Sequence, residues 1–145
     1  MNHHLLKMAA YWLRPIFWGS GLFMLLRGHN EPGGGFVGGL LVSLSYVMAY
    51  FRKEEKDVPP RILGQSSEFW LFMGLLIAWL SVIIGAVGGE AFMKGLWWGG
   101  LWLPIVGDTK IGTPFLFDTG VFFVVLGVVT RFFYLLEGDD SWSGC

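Results

Sequence analysis

The sequence has a single cysteine, few charges and no catalytic motif. Because Cys145 is the only cysteine, a disulfide framework and a thiolate metal cluster are excluded. Charged residues make up 14% of the chain, whereas soluble domains carry about 25%, which excludes a soluble enzyme and a disordered tail. A net charge of −1 offers no basic surface to nucleic acid, so a nucleic-acid partner is excluded. No HExxH, CxxC or Ser-His-Asp grouping occurs, so we expect neither an enzyme nor a cofactor.

Hydrophobic residues are abundant instead, at 54%, and most of them lie in four long runs. Four membrane spans of about 20 residues each would use a little over half of such a chain. We therefore predict an all-α integral membrane protein, a single membrane domain over residues 1–145 with four transmembrane helices. The predicted helices are, to within a few residues, 5–26, 35–51, 68–88 and 114–136.

The segments that connect these runs are polar or rich in glycine and tryptophan. Residues 52–67 contain a dense charge run with two adjacent prolines, which predicts a loop outside the membrane. Ser66 or Ser67 can cap the helix that follows. Residues 89–113 hold three tryptophans among glycines, a composition typical of a loop at the level of the lipid headgroups.

The distribution of Lys and Arg predicts the orientation of the chain in the membrane. With four helices, both termini and the 52–67 loop lie on one side, which carries seven of the ten Lys and Arg residues. The other side carries the remaining three. Because cytoplasmic segments are enriched in Lys and Arg, we predict that both termini and the 52–67 loop are cytoplasmic and that the 89–113 loop is external.

A glycine- and proline-rich break separates the first two predicted helices, with the sequence RGHNEPGGGF over residues 27–36. Irregular backbone at membrane depth persists only when it is buried in protein or lines water. Beside it stand a cation, an imidazole, a carboxamide and a carboxylate, which are Arg27, His29, Asn30 and Glu31. Two interpretations remain open: a vestibule for ions or protons at a helix break, or a tight turn whose polar residues face water.

Arg14 and Pro15 lie well inside the first predicted helix. A charge at that depth is costly towards lipid, so it commonly faces the helix bundle, a partner or water. Alternatively, the Arg14 side chain extends along a tilted helix towards the membrane surface. Pro15 lacks a backbone donor and is expected to kink the helix.

Asp118 lies near the start of the last predicted helix, which Thr113 is expected to cap with Pro114 as its first residue. An acid among phenylalanines is either desolvated or paired with a cation. The alternative is an acid that complements the helix dipole. The predicted topology brings the start of this helix to the side where the first helix ends, so Asp118 is expected to meet Arg27 or His29.

Small residues recur in two of the predicted helices at a spacing of four. They are Gly35, Gly39 and Ser43 in the second helix, and Ser81, Gly85 and Gly89 in the third. Such stripes let helix backbones approach each other where lipid supplies no hydrophobic force between helices. We therefore expect both helices to pack closely along these stripes.

Two blocks of the sequence resemble a known family of transport proteins. The first block is LRGHNEPGGGFVGGL, residues 26–40, and the second is GTPFLFDTGV, residues 112–121, with VLG following at 125–127. Together they resemble the MnhB-type (or MrpB-type) subunit of the Mrp family of multisubunit sodium/proton antiporters, also called Mnh or Sha. The blocks occur in the expected order with apolar runs between them, and the resemblance covers residues 10–136.

The resemblance implies a small four-helix subunit of a large complex in the bacterial inner membrane that exchanges Na⁺ for H⁺. Its partners would be the other antiporter subunits, membrane lipid and the two cations, with Na⁺ bound only transiently. Small subunits of this type complete the assembly and are associated with the cation path. Two alternatives are a structural subunit that conducts nothing and the equivalent subunit of a membrane-bound hydrogenase-type complex.

The candidate site residues come from these two blocks and from the charges beside them. The candidates for the ion path are Arg27, His29, Glu31, Thr113 and Asp118. The candidates for a structural role are Arg14, Pro15, Asn30, Pro32, Gly33, Gly34, Gly35 and Phe36. The motif positions that the resemblance itself supplies are Asn30, residues 32–36, Thr113 and Asp118.

Overall fold

The structure is a computed structural model that describes residues 2–28, 33–51, 61–87, 95–103 and 107–138. Four α-helices and two short antiparallel hairpins make up this part of the chain. The helices are α1 (Asn2–Arg27), α2 (Gly34–Phe51), α3 (Ser67–Val87) and α4 (Thr113–Gly138). The strands are β1 (Arg61–Ile62), β2 (Gln65–Ser66), β3 (Trp97–Leu103) and β4 (Gly107–Gly112).

Two of the helices are long and apolar enough to cross a membrane, judged by length and composition. They are α3 and the part of α4 from Thr113 to Leu136. In α2, residues Gly34–Met48 form a shorter apolar helix. Pro15 lies inside α1, and the kink expected there stays a prediction.

The tryptophan-rich segment, predicted as an external loop, contains a β-hairpin. Residues 97–103 and 107–112 pair as the antiparallel strands β3 and β4, and the register shifts between Trp97 and Gly99. Glycine is disfavoured in strands, and the run WWGGLWL does not alternate between polar and apolar residues. Neither local propensity nor periodicity indicates these strands, and pairing between the two segments forms the hairpin.

The second hairpin, β1–β2, ends the predicted 52–67 loop and leads directly into α3. Leu63 and Gly64 form its two-residue turn, with φ of 52° and 85°, which is typical of a type I′ turn. A leucine in this left-handed region is unusual because its Cβ crowds the backbone. The Ser66 hydroxyl accepts a hydrogen bond from the Phe69 N–H (N···O 3.3 Å), so Ser66 is the cap of α3.

The helices pack in the order α1–α2–α4–α3. Helix α2 contacts both α1 and α4, α4 contacts both α2 and α3, and α1 touches α4 only marginally. Matching backbone contacts show that α1 and α2 are antiparallel, α2 and α4 parallel, and α3 and α4 antiparallel. The result is a row of helices, with α1 and α3 at its two edges.

The buried core of this row is small. It consists of Leu25, Val42, Ile62, Phe122 and Leu126. Large apolar side chains are exposed along all four helices, well beyond the scattered exposure that is normal for soluble monomers. Lipid or protein partners are the surroundings in which such a surface is stable.

The hairpin β1–β2 is tied into this core. Ile62 is fully buried in it, and the Trp70 Nε1–H donates a hydrogen bond to the Ile62 carbonyl oxygen (N···O 2.8 Å). The Trp70 ring in turn stacks on Phe123 of α4, with 4.9 Å between ring centroids. The start of α3 is thereby held against both α4 and the hairpin.

Candidate functional site

Two glycines bring α1 and α2 into backbone contact. A Cβ built on Gly38 would lie 2.5 Å from the Gly21 carbonyl oxygen, and one on Gly21 would lie 2.8 Å from the Gly38 carbonyl oxygen. Neither distance is possible for a real side chain, so only glycine permits this crossing. The two helices therefore stay in close contact as they approach the break.

The helices close to a neck, formed by Gly28 and Gly34, immediately before and after the break. A Cβ on either glycine would overlap the Cα of the other. The Gly28 N–H donates to the Met24 carbonyl oxygen (2.8 Å), and the Val37 N–H donates to the Gly33 carbonyl oxygen (3.0 Å). Gly33 has φ of 101°, a conformation that glycine adopts readily.

Asp118 of α4 lies beside this neck. A Cβ on Gly35, the residue after Gly34, would overlap the Asp118 carbonyl group. Asp118 is half-buried. The start of α4 and the end of α1 are therefore on the same side of the helix row, as the topology predicted, and Asp118 is the acid that the structure brings to the break.

The neck and Asp118 lie more than one helical turn from the first residue of α4. Along α4, the residues from Thr113 to Asp118 rise about 8 Å, and those from Asp118 to Arg131 rise about 20 Å. Helix α3 is about 30 Å long at 1.5 Å per residue, which equals the thickness of a hydrocarbon core. The Gly28–Gly34 neck therefore lies beside a point about 8 Å along α4 from its first residue.

Helix α4 is clamped on two sides, which holds Asp118 in place. On the α2 side, a Cβ on Gly39 would lie 2.8 Å from the Phe122 carbonyl oxygen. On the α3 side, a Cβ on Gly120 would lie 2.6 Å from the Ala78 backbone nitrogen. The predicted packing of α2 along Gly35 and Gly39 is confirmed, and these contacts leave Asp118 little freedom to move with its helix.

Thr113 joins the base of the β3–β4 hairpin to α4. Its N–H donates to the Leu96 carbonyl oxygen (2.9 Å), and its hydroxyl oxygen accepts from the Leu96 N–H (3.0 Å). Thr113 is buried, with 6% of its surface exposed. It also lines a cavity of about 150 Å³ between α3 and α4, whose other lining residues are Ser81, Val82, Gly85, Gly95, Pro114 and Phe117.

Five buried or partly buried hydroxyl groups of the helices donate to carbonyl groups of their own helix. Ser43 donates to Gly39 (2.6 Å), and Ser81 donates to Ala78 (2.7 Å). The same pattern holds for Ser45, Thr119 and Thr130. Bonding of this kind satisfies a polar group where water is absent. Ser81 and Gly85 of the predicted α3 stripe are buried, whereas Gly89 lies outside the described residues.

Arg14 reaches from α1 to Tyr46 of α2. Its guanidinium carbon lies 5.6 Å from the centre of the Tyr46 ring, at cation–π distance. Tyr46 also packs edge-to-face on Trp18, with 5.8 Å between centroids. Arg14 is nevertheless exposed, so its side chain neither enters the core nor extends free of its neighbours.

The remaining candidates divide into described and undescribed residues. Arg27 is exposed at the last position of α1, and Phe36 is exposed in the first turn of α2. His29, Asn30, Glu31 and Pro32 lie outside the described residues. Their roles in the ion path and the motif therefore stay predictions.

One ion pair was not anticipated from the sequence. Arg131 Nη2 lies 3.1 Å from Glu68 Oε1, which joins the end of α4 to the start of α3 on the side of the termini. Both side chains are partly exposed. Residues so far apart in sequence give no local pattern, so only the antiparallel packing of α3 and α4 brings them together.

Within the described ranges, no three His, Cys, Asp or Glu side chains come together as a metal site would require. Beside the neck, the described chain places the acidic residue Asp118, whose backbone contacts Gly35. Carboxylate and carbonyl oxygens are the ligands that hard cations prefer.

Comparison with known proteins points to one family. Residues 5–131 match the family described as a domain related to the MnhB subunit of Na⁺/H⁺ antiporter. The chain is 39% identical over 106 residues, 73% of each chain, to the B subunit of the Na⁺/H⁺ antiporter of Bacillus subtilis. It is 30% identical over 122 residues to the putative antiporter subunit mnhB2 of Staphylococcus aureus, which covers 83% of this chain and 84% of that one.

Proposed function

The chain belongs to the MnhB family, and from that premise we propose that it is a membrane subunit of a multisubunit antiporter that exchanges Na⁺ for H⁺. In this proposal it contributes to the assembly of the complex and to its cation path. The relatives named above are antiporter subunits, which makes a transporter component the natural assignment. The other subunits, Na⁺, H⁺ and membrane lipid are then its partners.

All four helices cross the bacterial inner membrane in this proposal, with both termini in the cytoplasm. The support is that α3 and α4 have the length and composition of membrane spans. Helices α1 and α2 pack beside them in one row, so they share the same layer. Seven of the ten Lys and Arg residues lie on the side of the termini, as the positive-inside rule requires.

The position of the neck is the observation that carries the cation path, because the neck lies beside Asp118, about 8 Å along α4 from its first residue. If the outer end of α4 marks the external edge of the hydrocarbon core, the Gly28–Gly34 neck lies about 8 Å inside it. Irregular backbone at that depth must face protein or water. This favours a water-filled vestibule over a turn that merely faces bulk solvent.

Within the vestibule, Asp118 supplies the charge that attracts a cation. A carboxylate at membrane depth requires a compensating positive charge. We propose that Arg27 and His29, at the break, supply this positive charge when no cation is bound. The cation supplies it as it passes. Glu31 adds a second carboxylate on the break, and Thr113 positions the start of α4 through its two bonds to Leu96.

The decisive test is Asp118→Asn in the whole complex. The amide has nearly the same shape, and α4 remains clamped by its glycines, so assembly should survive. Removal of the charge should lower sodium-dependent proton exchange in membrane vesicles by about tenfold, the effect of losing roughly 1.4 kcal/mol of interaction with the ion.

The matched control is Glu68→Gln, which neutralises an acid at the opposite end of the helix row. Exchange and complex yield should both match the wild type in that variant. If Asp118→Asn assembles and exchanges normally at every pH, Asp118 is not in the cation path. If it fails to assemble, Asp118→Glu, which keeps the charge, decides whether shape or charge was required.

A purely structural subunit is the second candidate. The observation that favours it is the dense backbone contact at Gly35, Gly38, Gly39, Gly74 and Gly120, which suits a rigid spacer between larger subunits. The two candidates differ in one outcome. If every variant at Asp118 or His29 that loses exchange also fails to assemble, the structural role accounts for the result.

A further inference from the structure

Arg14 carries a charge that the described chain does not neutralise. Its contact there is with the Tyr46 ring, and no acidic side chain of the described ranges forms an ion pair with it. By contrast Arg131, on the same side of the helix row, pairs with Glu68 at 3.1 Å. An exposed guanidinium on a membrane helix needs an anion from outside the chain or access to water.

The contacts of Tyr46 place Arg14 near the surface of the membrane. Tyr46 packs against the core cluster that contains Ile62, the residue before the turn of the β1–β2 hairpin. Arg14 therefore lies at the level of an extramembrane hairpin. Measured from the neck, Tyr46 is about 17 Å along α2 from Gly35, which is consistent with a position at the cytoplasmic end of the hydrocarbon core.

A cleft of about 440 Å³ opens beside Arg14. It is lined by Tyr11, Trp12, Arg14 and Pro15. Tyr11 and Trp12 are 64% and 67% exposed and pack edge-to-face on each other, with 5.8 Å between centroids. Tyrosine and tryptophan concentrate at the level of lipid headgroups, and α1 is an edge helix of the row, so this cleft faces outward.

We propose that this cleft binds the phosphate of an anionic phospholipid from the cytoplasmic leaflet. The guanidinium of Arg14 provides two parallel donors for phosphate oxygens. Tyr11 and Trp12 flank the glycerol region, and the exposed apolar side chain of Ile16 lies one turn further into the membrane. Basic clefts beside membrane helices on the cytoplasmic side are suited to such headgroups.

The charge and the aromatic pair together favour lipid over a carboxylate from a neighbouring subunit. In the proposed topology, this side carries seven of the ten Lys and Arg residues of the chain, which favours an anionic lipid. Lipid headgroups leave the Tyr11 and Trp12 rings in the wet, mixed environment that they prefer.

The proposal is tested by lipid retention on the purified complex in neutral detergent. Native mass spectrometry would compare bound dioleoyl phosphatidylglycerol with bound dioleoyl phosphatidylcholine. Arg14→Gln should lower the preference for phosphatidylglycerol about fivefold, the value of one basic residue near an anionic surface. Arg14→Lys should keep most of the preference, and Arg131→Gln, which removes an arginine that is already paired, should leave it unchanged.

Three outcomes would overturn the proposal. One is an unchanged preference in an Arg14→Gln complex that assembles. Another is competition by excess inorganic phosphate as effective as competition by the lipid, which would make this a site for free phosphate. The third is loss of a neighbouring subunit from Arg14→Gln with lipid retention intact, which would assign the guanidinium to a protein carboxylate. If the Arg14→Gln complex does not assemble, two other variants test the proposal. Arg14→Lys must then retain the preference for phosphatidylglycerol, and the double variant Tyr11→Ala, Trp12→Ala must lower it; any other result overturns the proposal.

Discussion

The α1–α2 pair and the α3–α4 pair are both antiparallel helix pairs held by glycine, yet they end differently. Gly21 meets Gly38 in the first pair, and Gly74 meets Gly120 in the second, each through backbone atoms. The first pair closes in the glycine neck beside Asp118, whereas α3 and α4 are joined through the segment that contains the β3–β4 hairpin. Glycine contacts therefore determine how close two helices come, and the connection determines how far they extend.

This difference creates the candidate site. The neck lies beside Asp118 of α4, about 8 Å along that helix from Thr113 and the base of the β3–β4 hairpin. In the proposed function, this offset is what places the polar break inside the membrane.

The largest effect is expected from Gly34→Val, which breaks the neck. The new side chain would collide with the Gly28 backbone and with the Met24 carbonyl oxygen, which lies 2.7 Å from the position of a Cβ. We expect loss of exchange and destabilisation by about 3 kcal/mol, measured by vesicle exchange and by denaturation in mixed micelles.

The control for that variant is Gly19→Ala, in the same helix pair. A Cβ on Gly19 meets nothing within 4 Å, and alanine is the better helix former. Stability should therefore stay equal or rise slightly. Normal complex yield and exchange in Gly34→Val would show that the neck is not a close backbone contact.

Gly74→Ala tests the other pair and should have the next largest effect. Its Cβ would lie 2.5 Å from the Val124 backbone nitrogen and 2.6 Å from the Gly120 carbonyl oxygen, which we expect to cost about 2 kcal/mol. Exchange per assembled complex should stay normal because the Asp118 backbone contacts Gly35 of α2 and not Gly74 of α3. If exchange per complex falls as far as in Asp118→Asn, the two pairs do not act separately.

Leu63→Asn should have a smaller effect in the opposite direction. Leu63 has φ of 52° and is exposed, and asparagine tolerates the left-handed region better than leucine. The variant should be stabilised by about 1 kcal/mol, read as a higher midpoint of thermal unfolding. Gly64→Ala, at φ of 85°, is the matched control and should lower the midpoint, since alanine is strained there.

The smallest effect is expected from Glu68→Gln. The ion pair with Arg131 is partly exposed, and exposed pairs contribute about 0.3 kcal/mol. Removing it should shift the unfolding midpoint only marginally, and added salt should reduce even that shift. A loss of more than about 1 kcal/mol would mean that this pair, rather than glycine packing, holds the end of α4 to α3.

Local patterns were enough to predict where the helices lie and which small residues pack them. Apolar runs bounded by glycine, proline and serine gave ranges close to the observed helices, and Gly35 and Gly39 do form a helix crossing. The two hairpins escaped prediction because their strands are short, rich in glycine or without alternation. The Leu63 turn lacks the Asn-Gly or Asp-Gly pair that usually signals a type I′ turn.

Composition and residue order by themselves predicted four helices, and two of them have the length and composition of membrane spans, because burial of apolar residues and backbone bonding are local requirements. The tertiary structure alone decided which side chains meet. It aligned Gly35 with Asp118 and Arg14 with Tyr46, pairs that are far apart in sequence. The physical reason is that such contacts depend on the order and relative depth of the packed helices. A glycine stripe shows that a helix can pack closely, but it does not indicate which helix backbone it will contact.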